Sequence, residues 1–157
     1  MSNRGAQGFT LVELVVIMTV IGILAVTLGP RFFTQSVFSQ RGYADELASA
    51  LRFAQKAAVS SECATRLTLT STSYVVTQQA ASGNGCNTSD TSFSTPVLGA
   101  DGAAIQGSAP ANTTASPTGN YQFDDQGRLV ASSPGTTLTI GARTITIVPG
   151  TGFVQVQ

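Results

Sequence analysis

The stretch Gly8–Pro30, GFTLVELVVIMTVIGILAVTLGP, decides how the rest of the chain is read. It is apolar over about one membrane thickness and carries one charge, Glu13. Roughly 20 apolar residues in a helix span the hydrocarbon core of a bilayer. Such a helix satisfies its own backbone and is apolar on all sides, as Leu11 to Leu28 is. A carboxylate near one end of a span costs a few kcal/mol, so its presence points to a role. Gly22 and Gly29 allow close helix approach. Pro30 lacks an N–H and clashes with the preceding turn, so Gly29-Pro30 predicts a kink rather than a stop. The residues before the stretch, Met1 to Gly8, are polar with one arginine, Arg4, and read as a leader outside the mature fold.

Length alone admits a plain membrane anchor, and Arg4 followed by Leu14 to Leu28 admits a secretory signal peptide. Neither explains Gly8, Phe9 and Glu13 together, and the apolar run merges into a helical pattern beyond it. The residues Gly8-Phe9-Thr10-Leu11-Val12-Glu13 resemble the N-terminus of type IV prepilins and type II secretion pseudopilins. In that group a short basic leader ends in Gly, and Phe, Thr, Leu, an apolar residue and Glu open a long apolar run with a Gly-Pro near its end. The resemblance implies cleavage between Gly8 and Phe9 by a prepilin peptidase, and methylation of the new amine on Phe9. It implies as partners other pilin or pseudopilin subunits, the peptidase, an inner-membrane assembly platform and membrane lipid. The implied location is the bacterial inner membrane, crossed once with a head in the periplasm, and then a pilus or a secretion pseudopilus. Arg4 stands on one side of the span and Arg31 and Arg41 on the other, so charge does not set the orientation. The orientation rests on the resemblance.

Glu13 is expected to act in assembly. It stands four residues after Phe9, on about the same face if both are helical. A carboxylate beside the bilayer core is costly alone and far less so when paired. The amine of Phe9 in a neighbouring subunit is the expected counter-ion.

Beyond Val37 the period is helical. Ala44, Leu47, Ala48, Leu51, Ala54 and Ala58 recur at steps of three and four and define one apolar face. Arg41, Asp45, Arg52 and Lys56 fall mostly off it. Ser60 and Ser61 mark the expected end. A helix continuous from Phe9 would reach ~80 Å at 1.5 Å per residue. After Cys63 the period changes to two: Arg66 to Thr70 and Tyr74 to Thr77 predict a hairpin. Gln79 to Asn120 is rich in small polar residues and predicts a long loop with one strand near Ser94 to Leu98. Tyr121 to Phe123 and Arg128 to Val130 predict a second hairpin across Asp124 to Gly127. Thr136 to Ile140, Thr144 to Val148 and Phe153 to Val156 predict a strand meander covered by the amphipathic helix.

The expected fold is therefore α+β: a long N-terminal helix, transmembrane in its first half, packed against a small antiparallel β-sheet head, as in pilins. Its segments are a leader 1–8, a transmembrane and assembly helix 9–30, an amphipathic helix 31–61 and a β-rich head 62–157 with a variable loop 79–120. The head resembles GspH/FimT-type minor pilins and pseudopilins, in which a Phe-Asp…Gly turn follows a variable loop and a Gly precedes the last strand. Phe123-Asp124 to Gly127 and Gly152-Phe153-Val154 stand at those places. Tyr43 to Leu47 and Leu51 to Gln55 are similar to minor pilins of the mannose-sensitive haemagglutinin group.

Catalysis and metal binding find little to work with. Histidine is absent, which removes the commonest general base and metal ligand. No phosphate loop, dinucleotide fingerprint or nucleophile elbow occurs. No metal site and no cofactor are expected; Asp124-Asp125 lacks calcium-loop spacing and reads as a turn. Cys63 and Cys86, an even pair without C-x-x-C spacing, read as a disulfide if the head is exported. Formal charge is balanced, so nucleic acid is disfavoured as a partner. Some FimT-like minor pilins bind DNA through arginines near the C-terminus, where this chain reads Gly152 to Gln157 without a basic residue. An interaction protein is expected rather than an enzyme. A DNA-uptake pilin and a membrane-anchored periplasmic hydrolase are the alternatives.

Overall fold

The computed structural model describes residues 9–32, 35–83 and 85–157, with side chains left out for 26–32 and 35. Two compact units are present, Met1–Gln35 and Ser36–Gln157. In the first, helix α1 covers Leu11–Phe32. Its backbone stays helical through Gly29 and Pro30, so Pro30 is not a stop. The side chains at the expected kink, and residues 33–34 on which helix continuity depends, lie outside the described residues. Among the described residues no helix is long and apolar enough to cross a membrane. The last part of the expected transmembrane segment 9–30, from Val26 on, has its side chains outside the described residues.

The second unit opens on α2, Gln35–Ser61. Strands follow as β1 Thr65–Leu69, β2 Ser73–Gln78, β3 Ala81–Ser82, β4 Gly85–Cys86, β5 Thr95–Pro96, β6 Gln106–Ser108, β7 Ala115–Ser116, β8 Gly119–Phe123, β9 Thr137–Ile140, β10 Arg143–Val148 and β11 Phe153–Val156. All pairs are antiparallel. One sheet has the order β5-β2-β1-β8, with β6 also on β2; a second has the order β11-β10-β9-β7.

Helix α2 carries the core. Ala44, Leu47, Ala48, Leu51, Ala54 and Ala58 are all fully buried, which is the face expected from their spacing. They share one cluster with Leu67, Val76, Tyr121 and Phe123 of the first sheet and Leu138, Ile140, Ile145, Ile147 and Val154 of the second. Alanines on the buried face let the helix backbone approach both sheets, while the leucines fill the space between. The helix ends as Ser60 and Ser61 hydroxyls donate to the Ala57 carbonyl, at 3.2 and 2.7 Å. Glu62 then turns the chain at φ +53°, the left-handed position that usually follows a helix.

The predicted meander forms as β9-β10-β11, in a sheet separate from that of β1 and β2 rather than in one small sheet. Tyr121 to Phe123 folds back on Arg128 to Val130 as a short hairpin, through the antiparallel bridge of Phe123 with Leu129 and the Asp124 amide donating to the Arg128 carbonyl at 3.0 Å. The longer pairing of β8 is with β1, Leu67 opposite Tyr121 in a five-residue register. Val130 donates to the Gln122 carbonyl across that hairpin (2.8 Å), while Leu129 donates to the Pro149 carbonyl (3.0 Å). The stretch 79–120 also differs from the expected loop with one strand. It carries β3 to β7, and both β5 and β6 lie along β2. These short strands are held by backbone bonds, and their small residues leave no alternation to read.

Candidate assembly site and the head surface

Helix α1 starts at Leu11, not at Phe9. Phe9 and Thr10 precede it, and Thr10 is its N-cap. The Glu13 amide donates to Thr10 Oγ1 at 3.3 Å, and the Leu14 amide to the Thr10 carbonyl at 3.2 Å. Thr10-Leu11-Val12-Glu13 is thus the Thr-x-x-Glu pattern of a capping box, a signal the residue spacing carries and the sequence reading missed. It corrects one premise: Phe9 stands before the cap, so Phe9 and Glu13 do not share a helix face. Glu13 occupies the first turn, where the helix dipole favours a negative charge. Its carboxylate makes no ion pair among the described residues. Around it Leu11, Val12, Leu14, Val15, Val16, Ile17 and Met18 are all exposed, so α1 presents apolar groups on every side. Gly8 lies outside the described residues.

In the head, Cys63 and Cys86 form a disulfide, with their Cα atoms 5.4 Å apart. It joins the residue after the α2 turn to β4. A second, independent fastening holds the same loop. Asp90 accepts from the Ala80 amide (2.8 Å) and from the Ser92 amide (2.8 Å) and hydroxyl (2.5 Å). Gln79 ties Ala64 to the Asp90 carbonyl. Arg66 stacks 4.4 Å over the ring of Phe93, whose φ of +52° is unusual for an aromatic residue. The Ser92 hydroxyl first, and then the Ala80 and Ser92 amides, hold the Asp90 carboxyl down to about 2.

That pair of fastenings gives an expected result. A carboxyl lowered on folding contributes stability that is present above its unfolded value of 3.8 and lost as pH falls through about 2. Replacing both cysteines by serine should lower stability by about 3 kcal/mol in denaturant unfolding, the chain-entropy value for such a loop. The Ala80 and Ser92 amides should nevertheless stay protected from hydrogen exchange in that variant at neutral pH, and lose protection only as pH falls from about 4 through 2. Loss of their protection at neutral pH would show that the disulfide alone holds the loop.

Two glycine turns meet in the head. A Cβ on Gly152 (φ +64°) would run into the carbonyl oxygen of Gly127, and one on Gly127 (φ +75°) would lie 2.8 Å from Val59 of α2. Gln55 of α2 lies against both glycines and donates to the Thr151 carbonyl at 2.7 Å. Next to it, Arg52 donates through Nε and Nη2 to the Val154 carbonyl. The Phe123-Asp124 to Gly127 and Gly152-Phe153-Val154 segments, far apart in the chain, are therefore two halves of one contact.

The comparisons with known proteins agree with this division of the chain. The family model of the prokaryotic N-terminal methylation motif matches residues 3–29. The model of the type II transport protein GspH matches residues 43–152, most of the chain. The chain belongs to the GspH family. No curated protein and no solved structure matches it. The GspH match ends at Gly152, so it takes in both glycine turns and the α2 face beneath them. With the methylation motif, GspH membership makes the chain a pseudopilin or minor pilin, processed and assembled into a pilus or pseudopilus. The GspH family is membrane-anchored and structural. Neither DNA uptake nor hydrolysis gains support from these matches.

Proposed function

We propose that this GspH-family subunit is held in the bacterial inner membrane by α1, crossing once with its head in the periplasm. Prepilin peptidase cuts between Gly8 and Phe9, and the new Phe9 amine is methylated. The capped first turn then carries Glu13 close to the new terminus, within a helix whose apolar groups face outward on every side. That combination carries the proposal. An exposed apolar helix demands lipid or other helices around it, and a carboxylate in that setting demands a cation. The Phe9 amine of a neighbouring subunit supplies one, so pairing aligns the incoming subunit and neutralises both groups. The assembly platform and other subunits are the partners.

Mass spectrometry of protein from native membranes tests the processing step. The expected N-terminal residue is methylated Phe9. Material beginning at Met1 in a host with the peptidase, or beginning beyond Leu28, would reject it.

A further inference from the structure

We propose that the Arg41–Arg143 side of the head docks on anionic phospholipid headgroups while the subunit waits in the membrane. This rests on the membrane-anchored reading above. Val37, Gln40 and Arg41 from the start of α2, with Ile140, Ala142, Arg143 and Gln157 from the second sheet, line an open cavity of about 360 Å³. No acidic side chain is among them. Neither Arg41 nor Arg143 has an ion pair or side-chain hydrogen bond among the described residues, where the ion pair formed is Arg128–Asp124. Arg41 is exposed and Arg143 half-buried, so both guanidiniums are open to groups outside the head. They suit an anion that comes from outside, because a guanidinium presents a planar fork of donors that matches phosphate oxygens.

Apolar residues point to the source of that anion. Phe38 is 68% exposed and Val37 40% exposed, one turn before Arg41. An aromatic and an aliphatic group beside arginines form the mixed edge that settles at a membrane interface, with rings among the headgroups and guanidiniums on the phosphates. Val37 follows the last residue of α1 by only a few positions, and each residue of chain reaches at most about 3.6 Å. At that chain length Val37 and Phe38 are within reach of the bilayer proposed to hold α1. The arginines beyond the span, against the usual bias of basic residues toward the cytoplasm, then have a use. On entry into a filament the headgroups are left behind, so docking would hold the waiting subunit and release it on assembly.

The test uses full-length protein reconstituted in vesicles of phosphatidylcholine alone or mixed equally with phosphatidylglycerol. A solvent-sensitive fluorophore on Ala142→Cys reports the cavity, and flotation reports the anchor. The expected result is a blue shift only with phosphatidylglycerol, reversed by high salt. Arg41→Gln and Arg143→Gln should each lower the docked-to-undocked ratio about fivefold, the effect of one basic residue near an anionic surface. Arg41→Lys should retain most of the shift, and Lys56→Gln, away from the cavity, should leave it unchanged. Flotation with both vesicles and equal emission in both would overturn the proposal alone, while failure to float with either would overturn the anchoring and the proposal with it. A shift reproduced in phosphatidylcholine by inorganic phosphate would mean a simple anion site. A shift in phosphatidylcholine that grows with protein density would mean carboxylates of a second copy. Either result would overturn lipid docking.

Discussion

Glu13→Ala is expected to leave the head folded and the disulfide formed, and to reduce incorporation into sheared filaments by about two orders of magnitude. Removing one member of a paired, water-poor ion pair costs about 3 kcal/mol or more, because the other charge is left uncompensated. Each 1.4 kcal/mol is a tenfold change. The capping geometry raises a rival cause, since Glu13 lies at the third position of a Thr-capped helix. Two further variants separate the causes. Thr10→Ala removes the cap and should cost about 1 kcal/mol of helix stability with assembly largely retained. Glu13→Gln keeps size and hydrogen bonding but no charge, and should assemble as poorly as Glu13→Ala. Normal assembly of Glu13→Gln, read by shearing and immunoblotting, would end the charge-pairing account and leave capping in its place.

Gly152→Ala is expected to destabilise the head by about 3 kcal/mol. Part of this is the backbone: an L-residue in the left-handed region costs about 1–2 kcal/mol. The rest is contact. The added carbon meets the Gly127 carbonyl, which is backbone and cannot rotate away, and overpacking of this kind costs about 1–3 kcal/mol. Relief would require the two turns to separate, loosening Gln55 from Thr151 and the start of β11. Gly102→Ala is the control, because Gly102 has φ +77° but open space around it. It should show the backbone part alone. Equal losses for the two variants in denaturant melts would mean that the Gly127–Gly152 contact contributes nothing to stability.

What could be read before the structure depended on whether side chains or backbone held each element. The α2 face was legible because burial imposes a 3.6-residue period, and all six residues chosen by that period are buried. β1, β2, β9, β10 and β11 were legible because β-branched and apolar residues alternate in them. The α+β class followed from those two patterns. The return of β8 to β1 was not legible, since local signals favour the nearest partner and say nothing of an edge left open earlier in the chain. The short strands between Gln79 and Asn120 escaped for a different reason: backbone pairing along β2 holds them, and small polar side chains do not report it. At the proposed assembly site, Phe9 and Glu13 were singled out by residue identity, whereas the cap at Thr10 was present as spacing and went unread. The cavity between Arg41 and Arg143 had no linear signal, because its two arginines lie on separate elements brought together by the core.

The pairing of β1 with β8 brackets everything from Thr70 to Thr118. Within that span β2 is fixed on β1, Val76 and Val97 lie in the core and β7 pairs with β9, so only the connections between these anchors are free to vary. Loop-closure entropy rises slowly with length, by about 0.6 kcal/mol for each doubling. Those connections can therefore lengthen, shorten or change composition at small thermodynamic cost, provided that the anchored strands keep their partners and the segment stays soluble. The filament-building parts of the subunit and the part it shows to its surroundings are in this way under separate constraints, and the second can diverge while the first stands still.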